Sequence, residues 1–115
     1  MEIKPNPETD PGKFIRLNTP PVTTEEAQAF EADLQAAMPD GWKLTAIFEL
    51  HGAHHRLVGY RLEALGEVFN LGTYGETDER HEGWTIQLIG AAFYNEFTVT
   101  APDGTMATIS DIMLA

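Results

Sequence analysis

The chain lacks cysteine altogether and is short of basic residues, with only seven Lys and Arg among its 115 residues. The absence of cysteine excludes disulfides and thiolate ligands for metals. The few bases are dispersed and oppose 18 Asp and Glu residues, so the formal net charge is -11. A field of this sign repels phosphates and attracts basic protein surfaces. Direct nucleic-acid binding is therefore the function class that the composition disfavours most.

Several motifs of catalysis and targeting are also missing. Ser110 is the only serine, and no G-x-S-x-G motif surrounds it, which argues against a serine nucleophile. The glycines form neither a G-x-G-x-x-G motif nor a P-loop. No apolar run approaches the roughly 20 residues of a membrane helix, and no basic segment followed by an apolar run opens the chain. We expect a cytoplasmic protein that uses no cofactor and contacts no membrane.

The composition that is present suffices for one folded domain. Hydrophobic residues make up 43% of the chain and aromatic residues 10%, which is enough to form a core despite the charge. Five prolines predict an extended arm over residues 1–21, because proline lacks a backbone donor and disfavours helix before it. Within this arm Phe14, Ile15 and Leu17 have the composition of a short edge strand. Residues 22–115 are predicted to form the single domain.

One helix is encoded after the arm. Thr23 and Glu26 have the spacing of a capping box, in which each side chain binds the backbone amide of the other residue. Pro39 predicts the end of the helix. Its apolar face is formed by residues at helical spacing, namely Ala27, Phe30, Leu34, Ala37 and Met38. Glu26 and Asp33 fall along one edge of this face, Glu31 falls along the other edge, and Glu25 lies on the outer side.

Everything after the helix has the pattern of strands. Gly52 and Ala53 predict a type II′ hairpin turn between strands at 44–51 and 54–63. The register of this hairpin pairs Glu49 with Arg56, Phe48 with Leu57 and Ile47 with Val58. Alternating apolar residues predict further strands near 67–73, 84–88, 93–100 and 105–113. The predicted fold class is α+β, with one N-terminal helix packed on an antiparallel sheet of about six strands.

The aromatic residues are interpreted as core rather than as a surface for stacked bases. The strand pattern assigns most of the large rings to the core, namely Phe48, Phe69, Trp84, Phe93 and Phe97. Trp42 follows the helix directly, and the sequence leaves open whether it is buried or is an exposed anchor for a partner.

Histidines cluster at the predicted hairpin tip, where His51, His54 and His55 occur together, and His81 lies in an acidic loop. His51 and His54 would face each other as the last pair before the turn, so they could hold a zinc ion with a carboxylate. A two-residue tip is exposed, however, and the spacing matches no H-E-x-x-H motif. We expect solvent-exposed histidines and no metal site. A small histidine-based enzyme or ligand-binding domain stays open as an alternative.

Most of the negative charge comes from two segments. Residues 21–42 contain five carboxylates and no Lys or Arg, and residues 76–83 contain four carboxylates and one Arg. The second segment lacks the 12-residue frame of an EF-hand, so calcium binding is not expected. It is either a solvated loop or a partner-binding loop.

The leading functional hypothesis is a non-enzymatic protein that binds and blocks a basic surface on a nucleic-acid-handling protein. In size, charge and layout the chain is similar to anti-CRISPR proteins and nuclease immunity proteins, but no motif matches a particular family. A structural subunit of a phage or other assembly is a further alternative. The predicted partner-binding residues are Glu25, Glu26, Glu31, Asp33, Asp40, Glu76, Asp78, Glu79 and Glu82. They are expected to converge on one outward-facing surface.

Overall fold

The computed structural model describes residues 1–5, 19–90 and 93–114. In chain order the elements are β1 (Glu2–Lys4), α1 (Thr24–Ala36), β2 (Lys43–His51), β3 (His54–Ala64), β4 (Glu67–Leu71), β5 (Thr85–Gly90), β6 (Glu96–Thr100), β7 (Met106–Ser110) and a 3-10 helix (Ile112–Leu114). The α+β class is confirmed. The segment at Phe14, Ile15 and Leu17 that resembles an edge strand lies outside the described residues.

The strands form two sheets, so the expectation of one antiparallel sheet with about six strands is wrong. The large sheet has the order β1-β2-β3-β4, with β1 parallel to β2, and the small sheet has the order β5-β6-β7. Residues 72–84 cross from one to the other. Gly75 has φ 85° and passes so close to the small sheet that a Cβ would lie 2.8 Å from the Phe97 ring. The two apolar faces then meet, with the rings of Tyr60 and Phe97 5.9 Å apart.

Helix α1 begins at the predicted capping box. The Thr23 hydroxyl accepts from the Glu26 amide at 3.2 Å, and the Glu26 carboxylate accepts from the Thr23 amide at 3.0 Å. The helix packs on the apolar side of the large sheet, where the Phe30 ring meets the Phe48 ring edge-on at 6.4 Å. In the described ranges no helix combines the length and the apolar character needed to cross a bilayer.

The β2–β3 hairpin has most of the predicted register. Glu49 pairs with Arg56 and Phe48 pairs with Leu57, but a bulge pairs Ile47 with Gly59 and not with Val58. Without the extra residue, Leu57 and Tyr60 would point to opposite faces of the sheet. The bulge places both side chains in the core, where each is 1% exposed. At the tip, Gly52 has φ 63° and Ala53 does not have a positive φ, as a type II′ turn requires.

The structure decides the position of Trp42, which the sequence left open, and changes that of Phe93. Trp42 is buried at 3% exposure, and its ring lies 5.6 Å from that of Trp84, beside the seam between the sheets. Phe93 is 85% exposed, so its assignment to the core is wrong. The reason is that β6 begins only at Glu96, which leaves Phe93 in the turn between β5 and β6, beyond the ladder that buries Phe97.

Candidate functional site

The carboxylates of α1 do not share one role, because Glu31 is engaged inside the fold. Its carboxylate lies 2.7 Å from the N-terminal ammonium of Met1 and accepts from the Ala46 amide at 2.8 Å. One turn later, Gln35 accepts from the Leu44 amide at 2.7 Å and donates to the Trp42 carbonyl. Two side chains of the helix thus satisfy the edge of β2 where β1 does not reach it.

On the other side of the helix, Glu26 and Asp33 line an open groove of about 370 Å³, here called the helix-edge groove. Its remaining described walls are apolar, and no Lys or Arg is among them. These apolar walls come from the chain before α1, from the helix and from the C-terminal 3-10 helix, namely Pro20, Pro21, Val22, Ala29, Phe30, Met113 and Leu114. The groove therefore presents two carboxylates over an apolar floor.

The charge state of the groove follows from its hydrogen bonds. The Thr23 backbone amide, and then the Thr23 hydroxyl, lower the pKa of Glu26, which is therefore ionised at neutral pH. Asp33 is exposed and makes no hydrogen bond or ion pair with any described residue. The same holds for Glu25 on the outer side of the helix and for Asp40 in the turn after it. These carboxylates are available to a partner.

In the acidic loop, Glu79 is anchored to β4. Asn70 donates to its carboxylate at 2.7 Å, and the ring of His81 lies 3.3 Å from its second oxygen. Asn70, and then His81, lower the pKa of Glu79. The other nitrogen of His81 lies 2.9 Å from the Glu67 carboxylate, and the ring packs on Phe69 with centroids 3.9 Å apart. The loop is therefore held against the edge of β4.

Of the other three loop carboxylates, one is bound within the fold and two are exposed. Glu76 accepts from the Tyr74 amide at 3.1 Å, and its side chain fills the space that a Cβ at Gly72 would need. Asp78 and Glu82 are exposed and form no hydrogen bond or ion pair within the described part of the chain. Two of the four loop carboxylates, Asp78 and Glu82, thus face solvent.

The structure keeps the two acidic segments apart. Helix α1 is tied to β2, and the loop is tied to β4, with β3 between them. Strands two positions apart in a sheet are separated by about 10 Å. Glu26 and Asp33 line one cavity, whereas Glu79 and Glu82 line another of about 510 Å³. There are therefore two acidic surfaces. The helix surface is formed by Glu25, Glu26, Asp33 and Asp40, and the loop surface is formed by Asp78 and Glu82.

Three of the four histidines, His51, His55 and His81, have partners within the fold, and His54 is exposed. His51 pairs with His54 across the turn, as predicted, and its ring lies 3.4 Å from the Glu49 carboxylate. His55 is only 6% exposed, so the expectation of exposure is wrong for it. It lies on the core side of the hairpin, and its Nε2 lies 2.8 Å from the Thr24 hydroxyl at the start of α1. No three metal-ligating side chains converge among the residues that are described.

Sequence reasoning missed a buried polar pair at the end of the β6–β7 ladder. The Asp111 carboxylate accepts from the Asn95 amide at 2.6 Å and from its side chain at 3.3 Å. Burial raises the pKa of Asp111 despite these bonds. The pair joins the start of β6 to the 3-10 helix that forms one wall of the helix-edge groove. The signal in the sequence is an isolated carboxylate between the apolar residues Ile109 and Ile112.

Comparison with protein-family models gave no match, and comparisons with curated proteins and with solved structures found no significant similarity. The functional interpretation therefore depends on the geometry of this chain. The helix surface has the more definite shape, because it combines free carboxylates with an apolar groove.

Proposed function

We propose that this chain is a non-enzymatic binding protein that blocks a basic surface on a partner protein that handles nucleic acids. The observation that carries the proposal is the helix-edge groove, where Glu26 and Asp33 stand over apolar walls and no Lys or Arg is among the described lining residues. The two carboxylates are seven positions apart in the chain, so they lie two helical turns, or about 10 Å, apart along the helix. Such an array can take the place of phosphates on a basic surface.

The rigidity of the helix favours this role. The capping box fixes its first turn, Phe30 anchors its middle, and Gln35 binds the edge of β2 near its end. Carboxylates on a fixed helix lose little conformational freedom when a partner binds, which leaves more of the interaction energy for affinity.

The chemistry of the groove suggests which residues of the partner enter it. An Arg side chain has a planar cation that binds carboxylates in pairs and a stem that packs on apolar atoms. Its guanidinium would bind Glu26 or Asp33 while its stem contacts Phe30 or Met113. Asp78 and Glu82 of the loop surface would add to the long-range field that attracts the partner.

Affinity capture followed by competition tests the proposal. The chain, immobilised through its C-terminus, is exposed to a host lysate at 50 and 500 mM NaCl, and the protein retained at low salt is identified by mass. We expect a basic protein that a DNA or RNA duplex releases, because the duplex competes for the same surface. Retention of no protein, or retention that nucleic acid does not affect, would contradict the proposal.

Matched charge reversals locate the binding surface. Glu25→Lys with Asp33→Lys alters the helix surface, and Asp78→Lys with Glu82→Lys makes the same change in net charge on the loop surface. We expect the helix variant to weaken binding of the captured protein about 10-fold or more and the loop variant about threefold, since the loop contributes only steering. An arginine-rich peptide serves as a defined probe. Equal losses in the two variants would overturn the assignment to the helix.

A further inference from the structure

Strand β5 is one of the two edge strands of the small sheet, and no described strand pairs with its outer side. Within the described residues, the backbone of Thr85–Gly90 makes hydrogen bonds to β6 alone. An edge strand with unpaired amides and carbonyls is a template for another strand. The large sheet differs, because its edge strand β1 has only three residues and carries Glu2 and Lys4, side chains of α1 bind β2 beyond β1, and the acidic loop lies along β4.

The composition of β5 does little to prevent such pairing. Its six residues, Thr85–Gly90, include no charge and no proline, and natural edge strands use both to avoid association. The bulge between Leu88 and Gly90 is the one protective device, and it lies at the end of the strand. The stretch from Thr85 to Leu88 keeps a regular register with β6.

Exposed apolar side chains accompany this open edge. Leu88 is 47% exposed and Ile89 is 56% exposed. Phe93, in the adjoining turn, is 85% exposed. Aromatic and aliphatic residues with few charges are typical of the centre of a protein interface. Among the residues of the three strands of the small sheet, Glu96 alone is charged.

We propose that two copies of this chain associate through β5, antiparallel about a twofold axis near Gln87, to form a continuous six-stranded sheet. Charge identifies the occupant. A basic partner has no carboxylate to bind along β5, whereas two copies of a chain with net charge -11 can approach only where their carboxylates are fewest. A strand that pairs with itself about a twofold axis is also self-complementary.

The contact is small, because six residues of strand span about 20 Å. An interface near the lower limit of specific contacts, about 1,000 Å², is expected to give a dissociation constant on the order of 10 μM. Sedimentation of the full chain from 1 to 500 μM covers this range. We expect the dimer to strengthen between 20 and 300 mM NaCl, because salt screens the repulsion between copies. A monomer at every concentration and both salt levels would overturn the proposal and would leave β5 to the strand of another protein.

This salt dependence also separates the two proposals. Binding to a basic partner weakens with salt, whereas self-association through an uncharged edge strengthens. Either result can be obtained without the other.

A matched pair of substitutions tests the location. Gln87 on β5 and Thr108 on β7 lie in one row across the small sheet, each next to Thr98, and both are exposed. Gln87→Lys places like charges opposite each other at the twofold axis, and we expect it to weaken the dimer at least 10-fold. Thr108→Lys should leave the dimer unchanged. Loss of the dimer in Thr108→Lys, or its retention in Gln87→Lys, would overturn the assignment to β5.

Cross-linking gives a second readout that does not depend on the folding of a charged variant. Since the chain has no cysteine, Gln87→Cys introduces a single thiol that would lie within disulfide distance of its copy. We expect mild oxidation to give a covalent dimer for Gln87→Cys and not for Thr108→Cys. Equal cross-linking of the two variants, or of neither, would contradict pairing through β5.

Discussion

The two sheets of this protein differ in the cover of their edges and in the charge of their outer faces. The large sheet has ion pairs on its outer face, with Arg61 3.4 Å from Glu2 and Lys43 3.9 Å from Glu63. Its edge strand β1 is only three residues long, side chains of α1 bind β2 beyond the reach of β1, and the acidic loop lies along β4. The outer face of the small sheet is mostly threonine and other uncharged residues, with Glu96 as the one charge in its strands, and among the described residues only β6 pairs with β5.

This difference teaches that the number of carboxylates does not measure the surface available to a partner. Glu31, Glu76 and Glu79 all belong to the acidic segments, yet each is engaged in holding the fold together. In these two segments, the carboxylates without a hydrogen bond or ion pair to a described residue are Glu25, Asp33, Asp40, Asp78 and Glu82. The small sheet, in contrast, has Glu96 as the only charged residue in its three strands.

The largest expected effect comes from breaking the contact between the sheets. Phe97→Ala removes a fully buried ring that packs on Tyr60, and we expect the free energy of unfolding to fall by about 4 kcal/mol. Phe93→Ala removes the same ring from an exposed turn and should change it by less than about 0.5 kcal/mol. Urea unfolding of both variants measures the difference. Similar losses would mean that Phe93 is packed.

The next largest effect concerns the edge of the large sheet. Glu31→Ala leaves the Ala46 amide and the Met1 ammonium without their acceptor, and we expect a loss of about 2 kcal/mol in unfolding free energy. Glu25→Ala, on the outer side of the same helix, should change it by less than about 0.5 kcal/mol. If both variants unfolded at the same urea concentration, the edge of β2 would not depend on Glu31.

As pH falls, the contributions of Glu79 and Asp111 to stability should change in opposite directions. The pKa of Glu79 is lowered, so its stabilising contribution is present above about pH 4.3, the ordinary pKa of Glu, and is lost as pH falls through the lowered pKa. The pKa of Asp111 is raised, so its contribution is largest below about pH 3.9, the ordinary pKa of Asp, and is lost as pH rises through the raised pKa.

Two variants isolate these contributions in melting curves between pH 3 and pH 7. Glu79→Gln should make the loss of stability in acid shallower than in the wild type, and Asp111→Asn should make it steeper. A change of the same sign in both variants would refute the contrast.

The smallest expected effect is the response of stability to salt. Screening of carboxylate repulsion should raise the Tm by a few degrees between 10 and 200 mM NaCl. The variant with Glu25→Lys and Asp33→Lys should respond less, because it has less repulsion to screen. A Tm that falls over this range would show that the ion pairs of the large sheet outweigh the repulsion.

Elements that depend on local signals were predictable from the sequence. The capping box at Thr23, the turn at Gly52 and the pairing of Glu49 with Arg56 each depend on residues close together in the chain. The division into two sheets was not predictable in this way, because it depends on the path that residues 72–84 take from one sheet to the other. The bulge opposite Ile47 was missed because it depends on the burial of both Leu57 and Tyr60 in the core.

The candidate site was predictable to the same extent. Helical spacing placed Glu26 and Asp33 on one edge of α1, and the structure agrees. The opposite wall of the groove comes from Met113 and Leu114, about 80 residues further along the chain, and no local pattern indicates it. The internal role of Glu31 was missed for the same reason, since its partners lie at Met1 and Ala46.

The closeness of the two indoles has a practical consequence for spectroscopy. The chain contains only two tryptophans, and Trp42 and Trp84 stand 5.6 Å apart, at the end of the segment after α1 and at the entry to β5. Their excited states should couple and give a paired band in circular dichroism. Because Trp84 ends the segment that connects the two sheets and also packs on Phe69, the loss of that band would report that this segment has left the large sheet.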